Sequence, residues 1–292
     1  MYDLEFTTSA ADFLRRAGSY LSEHPVVENV VATIADRTIR EDAEGVVRRP
    51  GPWWFLTVGR ADEVVGVAMR TAPEPEYATW VGRMPGGAAL QLGRALVDRG
   101  ESVRLVTGSL DPARTVADHL AAATSGQVRI AERTRLFELG ALMPPTGVSG
   151  TLRAATEDDL DLLHGWREIF LAEAEEQAGR PVVSRPAGDP EETRRRIHDH
   201  RLWVWEDGGQ PVQMTGANPP SAGVARIGPV YTPKRFRGRG YASAAVAAVS
   251  QLILDQGARV CLFTDQANPV SNRIYQRIGY RPVVDMAQLI ID

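Results

Sequence analysis

The segment Gly228-Pro-Val-Tyr-Thr-Pro-Lys-Arg-Phe-Arg-Gly-Arg-Gly-Tyr-Ala-Ser243 decides the fold. Its first residues complete the apolar run Ala225 to Tyr231, a strand pattern, and its last residues open an alanine-rich helix after Gly240. Between the two stands a basic, glycine-bearing loop. A helix start leaves backbone N–H groups unpaired and carries about half a positive charge. Glycines let the backbone approach a phosphate, and Lys234, Arg235, Arg237 and Arg239 add neutralising charge. The segment is therefore an anion site in outline. It lacks the lysine-serine ending of a P-loop and the glycine spacing of the dinucleotide fingerprint, so neither NTP hydrolysis nor NAD chemistry is supported. Without its neighbours the same loop reads as a solvated surface, and also as a nucleic-acid patch.

The neighbours sharpen it. Downstream, the helix ends at Asp255-x-Gly257, an apolar strand covers Val260 to Thr264, and a second helix is expected from Pro269 to Ile278. That helix lies within Asn268-Pro-Val-Ser-Asn272-Arg-Ile-Tyr275-Gln-Arg-Ile-Gly279-Tyr280. Asn268 before a proline is first of all a helix N-cap with proline at N1, and Tyr275, beside Ile274 and Ile278, reads on its own as core. Upstream, Thr151 to Ala154 reads as a short strand, Thr156-Glu-Asp-Asp159 as a capped helix start, Pro190 to His200 as a second helix, and Leu202 to Trp205 and Val212 to Ala217 as strands. Closing strands fit around Arg281 to Val284 and Ala287 to Ile291. The order is α+β or mixed α/β with one strand-loop-helix crossover at its centre.

Taken together, these residues resemble the GNAT superfamily of acetyl-CoA-dependent N-acetyltransferases. The family signature [Q/R]-x-x-G-x-[G/A] is matched by Arg237-Gly-Arg-Gly240-Tyr-Ala242, and in an overlapping register by Arg235-Phe-Arg-Gly238-Arg-Gly240. The first register is preferred because Val230-Tyr-Thr-Pro233 then stands where the family's strand ends. The segment from Asn268 to Tyr280 is similar to the family's later motif N-x-x-(A/S)-x-x-x-Y-x-x-x-G-[FY]. Motif-level resemblance covers Arg226 to Val284, and the element order extends it to 151–292. It implies an α/β (α+β) fold with a mixed, mainly antiparallel sheet flanked by helices. It also implies acetyl-CoA (coenzyme A) as cofactor, with the amides of Arg237, Gly238, Arg239, Gly240, Tyr241, Ala242 and Ser243 on the pyrophosphate. The strand end Val230, Tyr231 and Thr232 would pair with the pantetheine arm, and Asn268, Ser271 and Asn272 would touch the cofactor further on. Tyr275 would be the general acid. A phenol of pKa about 10 stays protonated at neutral pH and can protonate a thiolate whose reference pKa is about 8.5.

One departure from the family stands out. Many members carry a glutamate on the strand before the loop, whereas this strand reads Ala225-Arg-Ile-Gly-Pro-Val-Tyr231 and has no acid. An alkylamine of pKa near 10.4 must lose a proton before it attacks, at a cost of about 4–5 kcal/mol at pH 7. Glu173, Glu206 and Asp265 are candidate acceptors, a water chain is another, and none is assigned. The missing acid keeps a second reading open, a non-catalytic acyl-CoA-binding or regulatory protein.

The first half of the chain echoes the second. Asp98, Gly100, Val103, Leu105, Thr107 and Pro112 recur, at one constant offset, as Asp255, Gly257, Val260, Leu262, Thr264 and Pro269. Trp53-Trp54-Phe55 and Trp203-Val204-Trp205 each begin a strand pair at a slightly different spacing. In place of the basic loop the first copy has Val81-Gly-Arg-Met-Pro-Gly-Gly87, and Asp118 replaces Tyr275. The expected organisation is a degenerate GNAT-like domain at 1–143 with a structural role, a linker at 144–150 within Met143-Pro-Pro-Thr-Gly-Val-Ser-Gly150, and a catalytic domain at 151–292.

Composition fits this. The chain has 292 residues, 43% hydrophobic and 24% charged, with net charge −4, as expected of two globular domains. The charge argues against nucleic acid as partner. A single cysteine, Cys261, in an apolar strand excludes disulfides within the chain and reads as core. With Asp3 and Glu5 at the start, no signal peptide is read, and the longest apolar stretch, Tyr241 to Leu254, is too short to span a membrane. A cytoplasmic protein, monomer or homodimer, acting on a small-molecule or peptide amine is expected. His198-Asp-His200 has no further ligand at metal spacing, and no Gly-x-Ser-x-Gly elbow occurs, so neither a metal nor a serine nucleophile is expected.

Overall fold

The computed structural model describes residues 2–46, 53–72, 77–177 and 188–292. They form two compact units, Met1–Leu136 with Val283–Asp292, and Phe137–Pro282. The first contains β1 (Asp3–Thr7), α1 (Ala10–Glu23), α2 (Asn29–Ala43), β2 (Trp54–Arg60), β3 (Glu63–Arg70), β4 (Thr79–Val81), α3 (Gly86–Asp98), β5 (Leu105–Ser109) and α4 (Leu110–Thr124). Next, β6 (Val128–Leu139) leads into β7 (Thr151–Ala154), α5 (Leu160–Gln177), α6 (Pro190–His198), β8 (Leu202–Asp207), β9 (Gln210–Ala217) and β10 (Val224–Tyr231). The chain ends with α7 (Tyr241–Asp255), β11 (Arg259–Asp265), α8 (Pro269–Arg277) and β12 (Tyr280–Ile291).

Both units are mixed, mainly antiparallel sheets covered by helices. In the first, β1 to β4 pair antiparallel in sequence, β4 and β5 run parallel, and β12 closes antiparallel on β5 with Ala287 opposite Gly108 and Leu289 opposite Val106. Alternation along the strands sends one set of side chains to α3 and α4 and the other to α1 and α2. Leu56, Val81, Leu92, Val116, Leu120 and Leu289 form the first cluster, and Phe13, Leu21, Val31, Phe55 and Val67 the second. In the second unit β7, β8, β9 and β10 pair antiparallel, and β11 lies parallel to β10. Ile227, Leu262, Val246, Val249 and Tyr275 pack on the α7 side, while Leu202, Val204, Met214 and Tyr231 face Leu163 and Trp166 of α5 and Ile197 of α6.

Local signals explain most element ends. Thr156 and Asp159 form the expected capping box ahead of α5, and Asp189 caps α6 before Pro190. One expectation needs correction. The closing strands are one strand, β12, whose residues from Val283 onward belong to the first unit rather than to 151–292. The stretch 144–150 lies within the second unit. Val148 packs with Trp205 and Tyr241, and Trp205 Nε1 donates to the Ser149 carbonyl at 2.8 Å.

Candidate active site

The site grows from the place where two parallel strands part. β10 pairs with β11 from Val224 opposite Arg259 to Ile227 opposite Leu262, and the pairing stops there. Past a register shift, Val230 and Tyr231 of β10 stay on β9, opposite Thr215 and Met214. Gly228 and Pro229, joined by a cis peptide bond, form the departing segment. β11 meanwhile runs on to Asp265. Along the edge that β10 and β11 would share, Gly228 to Tyr231 and Phe263 to Asp265 thus face a notch that no pairing between these two strands closes. At its far end the buried Thr232 hydroxyl has no hydrogen-bond partner among the described residues.

The loop then turns into α7. Gly238 and Gly240 adopt φ of +79° and +85°, a region that residues with a Cβ rarely enter. At Gly240 an added Cβ would stand 2.9 Å from Val148, whereas at Gly238 it would meet nothing within 4 Å. This geometry turns the N–H groups of Gly238, Arg239, Gly240, Tyr241, Ala242 and Ser243 away from protein acceptors: among the described residues none is bonded, and the first inward bond is Ala244 N–H to Gly240 carbonyl at 3.0 Å. Six successive free amides at the positive end of a helix of 15 residues make a concentrated anion cradle. The side chains here have other work. Arg237 donates to the Thr232 carbonyl at 2.8 Å and pairs with Glu173, Arg239 is exposed, and the Tyr241 hydroxyl donates to Asp207.

On the far side of the notch, Asn268 caps α8 by accepting the Ser271 N–H at 3.1 Å. The Asn272 amide is consumed internally: it donates to the Asn268 carbonyl at 2.9 Å and the Asp265 carbonyl at 3.2 Å, and accepts from Thr264 at 2.5 Å. Asn272 thereby ties α8 to the end of β11, while the half-buried Ser271 hydroxyl bonds to nothing in the protein among the described residues. Tyr275 clusters with Ile227 and Leu262, the pair at which the strands separate. Its ring meets Tyr280 edge-on at 6.0 Å, and the Tyr280 hydroxyl is held to Ser250 at 2.8 Å. The Tyr275 hydroxyl itself has no protein partner among the described residues, and burial pushes its pKa up to about 12. It therefore holds its proton across the neutral range.

Of the three carboxylates raised from sequence, Glu173 reaches the β10 side of the site, accepting from the Tyr231 hydroxyl at 3.3 Å and pairing with Arg237. Glu206 is paired with Arg153 at 2.8 Å, and Asp265 accepts the Ala267 N–H at 2.8 Å within the turn before α8.

The first unit has the same elements without the notch. Its parallel pair runs on through Thr79 opposite Val106, Trp80 opposite Thr107 and Val81 opposite Gly108, past the position echoing Leu262. Its loop amide at Arg83 is taken at 2.8 Å by Glu28, a fully buried carboxylate that also accepts from the Tyr20 hydroxyl at 3.4 Å. Glu28 was invisible in the sequence, since an isolated acid between two helices carries no pattern.

Residues 163–280 match the model of the Acetyltransferase (GNAT) family. No curated protein matches the chain. Among solved structures, a GCN5-related N-acetyltransferase from Sphaerobacter thermophilus is similar at 19% identity and TM-score 0.58, over 99% of this chain and 94% of that one. A Drosophila protein gives 13% identity and TM-score 0.66, over 99% and 98% of the two chains. A tandem GNAT protein from the clavulanic acid biosynthesis pathway gives 13% and 0.51, also over 99% and 98%. At these identities the likeness establishes the fold, and it does so along the whole chain.

Proposed function

We infer that this chain, which carries a GNAT acetyltransferase domain at residues 163–280, moves an acyl group, acetyl first of all, from coenzyme A to an amine by direct attack. The observation that carries the reading is the notch between β10 and β11 opening onto six free amides at the start of α7. The residues present fit the cofactor. Free N–H groups from Gly238 to Ser243 suit a pyrophosphate, and the open space at Gly238 leaves its backbone accessible. Val230 and Thr232 at the strand end offer the pantetheine arm a partner in place of the missing strand. When bound, acetyl-CoA supplies an acyl group activated as a thioester. Tyr275, whose hydroxyl keeps its proton at neutral pH, would be the donor to the departing sulfur as the acyl carbon exchanges its C–S bond for a bond to the amine nitrogen, and the amine's surplus proton would leave to solvent. No acid stands on β10, so positioning and backbone polarisation carry more of the work than carboxylate catalysis.

The first unit is proposed to hold no cofactor, because its strand pair stays closed where the second unit's opens. Calorimetric titration with acetyl-CoA tests both claims. One saturable site is expected, lost in an Arg237→Glu/Gly240→Asp variant. Two equivalent sites would overturn the silent first unit, and no binding would overturn the transferase reading. Binding without thiol release across a panel of amines, unaffected by Tyr275→Phe, would favour the non-catalytic acyl-CoA-binding alternative that the acid-free strand suggests.

A further inference from the structure

Three arginines of the second unit converge where α5, α6 and the start of β8 meet. Arg167 on α5 donates to the Thr193 hydroxyl at 2.6 Å and pairs with Glu192 at 3.0 Å. Arg196 on α6 pairs with the same Glu192 oxygen at 3.2 Å. Arg201, in the turn before β8, pairs with Asp199 at 2.8 Å. The three side chains are only 19%, 17% and 24% exposed. Two carboxylates, one of them shared, therefore face three guanidinium groups, so one positive charge lacks a counter-charge among these groups. Two donors are left over as well: a terminal nitrogen of Arg196 and Nε of Arg201 are buried with no hydrogen-bond partner among the described residues. Buried donors are rarely left so, because losing water without gaining an acceptor is costly. Burial holds the Arg196 guanidinium below its usual range, and Arg167 and Arg201 push the same way against the pull of Glu192.

We propose that Arg167, Arg196 and Arg201 form a second anion site, distinct from the α7 amides, that takes a carboxylate or phosphate group. Planar guanidinium forks suit both groups, since each presents two oxygens to paired N–H donors. The neighbouring residues of α5, Trp166 and Phe170, pack on Tyr231 at 6.0 and 6.4 Å, so the site belongs to the helical layer covering the open end of β10. That layer lies across the sheet from α7, whose amides are the other anion site. The proposal stands whether or not the α7 amides hold coenzyme A.

Calorimetric titration with inorganic phosphate, at fixed ionic strength against chloride, tests it. A Gly240→Asp variant removes the contribution of the α7 amides and is expected to keep one saturable phosphate site. Adding Arg196→Met and Arg201→Gln to it is expected to weaken phosphate binding at least tenfold. Arg201→Gln alone, with a native circular dichroism spectrum, is expected to weaken it severalfold, which covers failure of the multiple variant to fold. No saturable phosphate binding in the Gly240→Asp protein, or an isotherm unmoved by Arg201→Gln, would overturn the proposal. Phosphoethanolamine identifies the source of the anion. Binding tighter than inorganic phosphate, lost in the arginine variants, assigns the site to an acceptor carrying both amine and anion; equal binding assigns it to a free ion.

Discussion

At the scale of single residues, two buried side chains carry opposite messages. Tyr275 is enclosed by apolar neighbours, yet its hydroxyl bonds to no protein group among the described residues, so the fold gains nothing from that oxygen. Tyr275→Phe is therefore expected to leave the thermal midpoint and acetyl-CoA affinity unchanged while lowering kcat by about 10²-fold. Stopped thiol release and calorimetry together check this, and an unchanged kcat would remove Tyr275 from the reaction. Glu28 does the reverse, shaping stability rather than chemistry. Burial raises its carboxyl to about 7 from an ordinary value near 4.5, and its second oxygen is unpartnered among the described residues. Between those two values the folded chain keeps the proton and the unfolded chain has lost it. Stability from this group is thus fully present at acid pH and declines as pH rises through 7, by about 3 kcal/mol in all. Unfolding free energies at pH 5 and pH 8 should show that decline in the native chain and lose it in Glu28→Gln. An equal slope in both proteins would mean that Glu28 is not the titrating group.

At the scale of elements, the decisive join is the loop between β10 and α7. Gly238 and Gly240 share a positive φ but not surroundings, and that difference predicts different costs. Gly238→Ala meets open space and pays only for backbone strain, about 1 kcal/mol. Gly240→Ala pays the same and also drives a methyl into Val148 at 2.9 Å, so it should destabilise more and distort the amides that follow. Denaturant midpoints and acetyl-CoA titration of the two variants separate the effects, and equal losses would show that Val148 yields freely. Most of this join was legible in the sequence, because glycine spacing, Pro233 and the alanine run each have a local cause. Four of the six free amides, Gly240 to Ser243, follow from the helix start alone, and those of Gly238 and Arg239 come from the left-handed turn before it. What lay beyond local pattern was the occupation of side chains: Asn272 reads as a ligand contact, yet three hydrogen bonds within its own turn and strand end engage it. Arg237 likewise reads as free charge and is held by Glu173, a residue far away in sequence whose helix face no periodicity distinguishes.

For the molecule as a whole, the echo between the two halves was legible, and so was the altered loop in the first. The ending of the chain was not. Alternation along 280–291 predicts strand and sets which side chains share a face, but it names no partner, and the partner of Ala287 to Ile290 is β5, far back in the first unit. Leu289 is fully buried, and Met286, Ala287 and Ile291 nearly so. Burying Met286, Leu289 and Ile291 contributes roughly 2 kcal/mol each, about 6 kcal/mol together, against the 5–15 kcal/mol that holds a typical domain. The first unit therefore depends on residues that follow the second in sequence, and it cannot complete its sheet until the second has been synthesised. A chain ending at Pro282 is expected to lose amide protection along Leu105–Ser109, whereas Leu289→Ala, costing about 2–5 kcal/mol, should only lower it. Hydrogen exchange read at those five amides distinguishes the two, and full protection in the truncated chain would show that the first unit folds without its final strand.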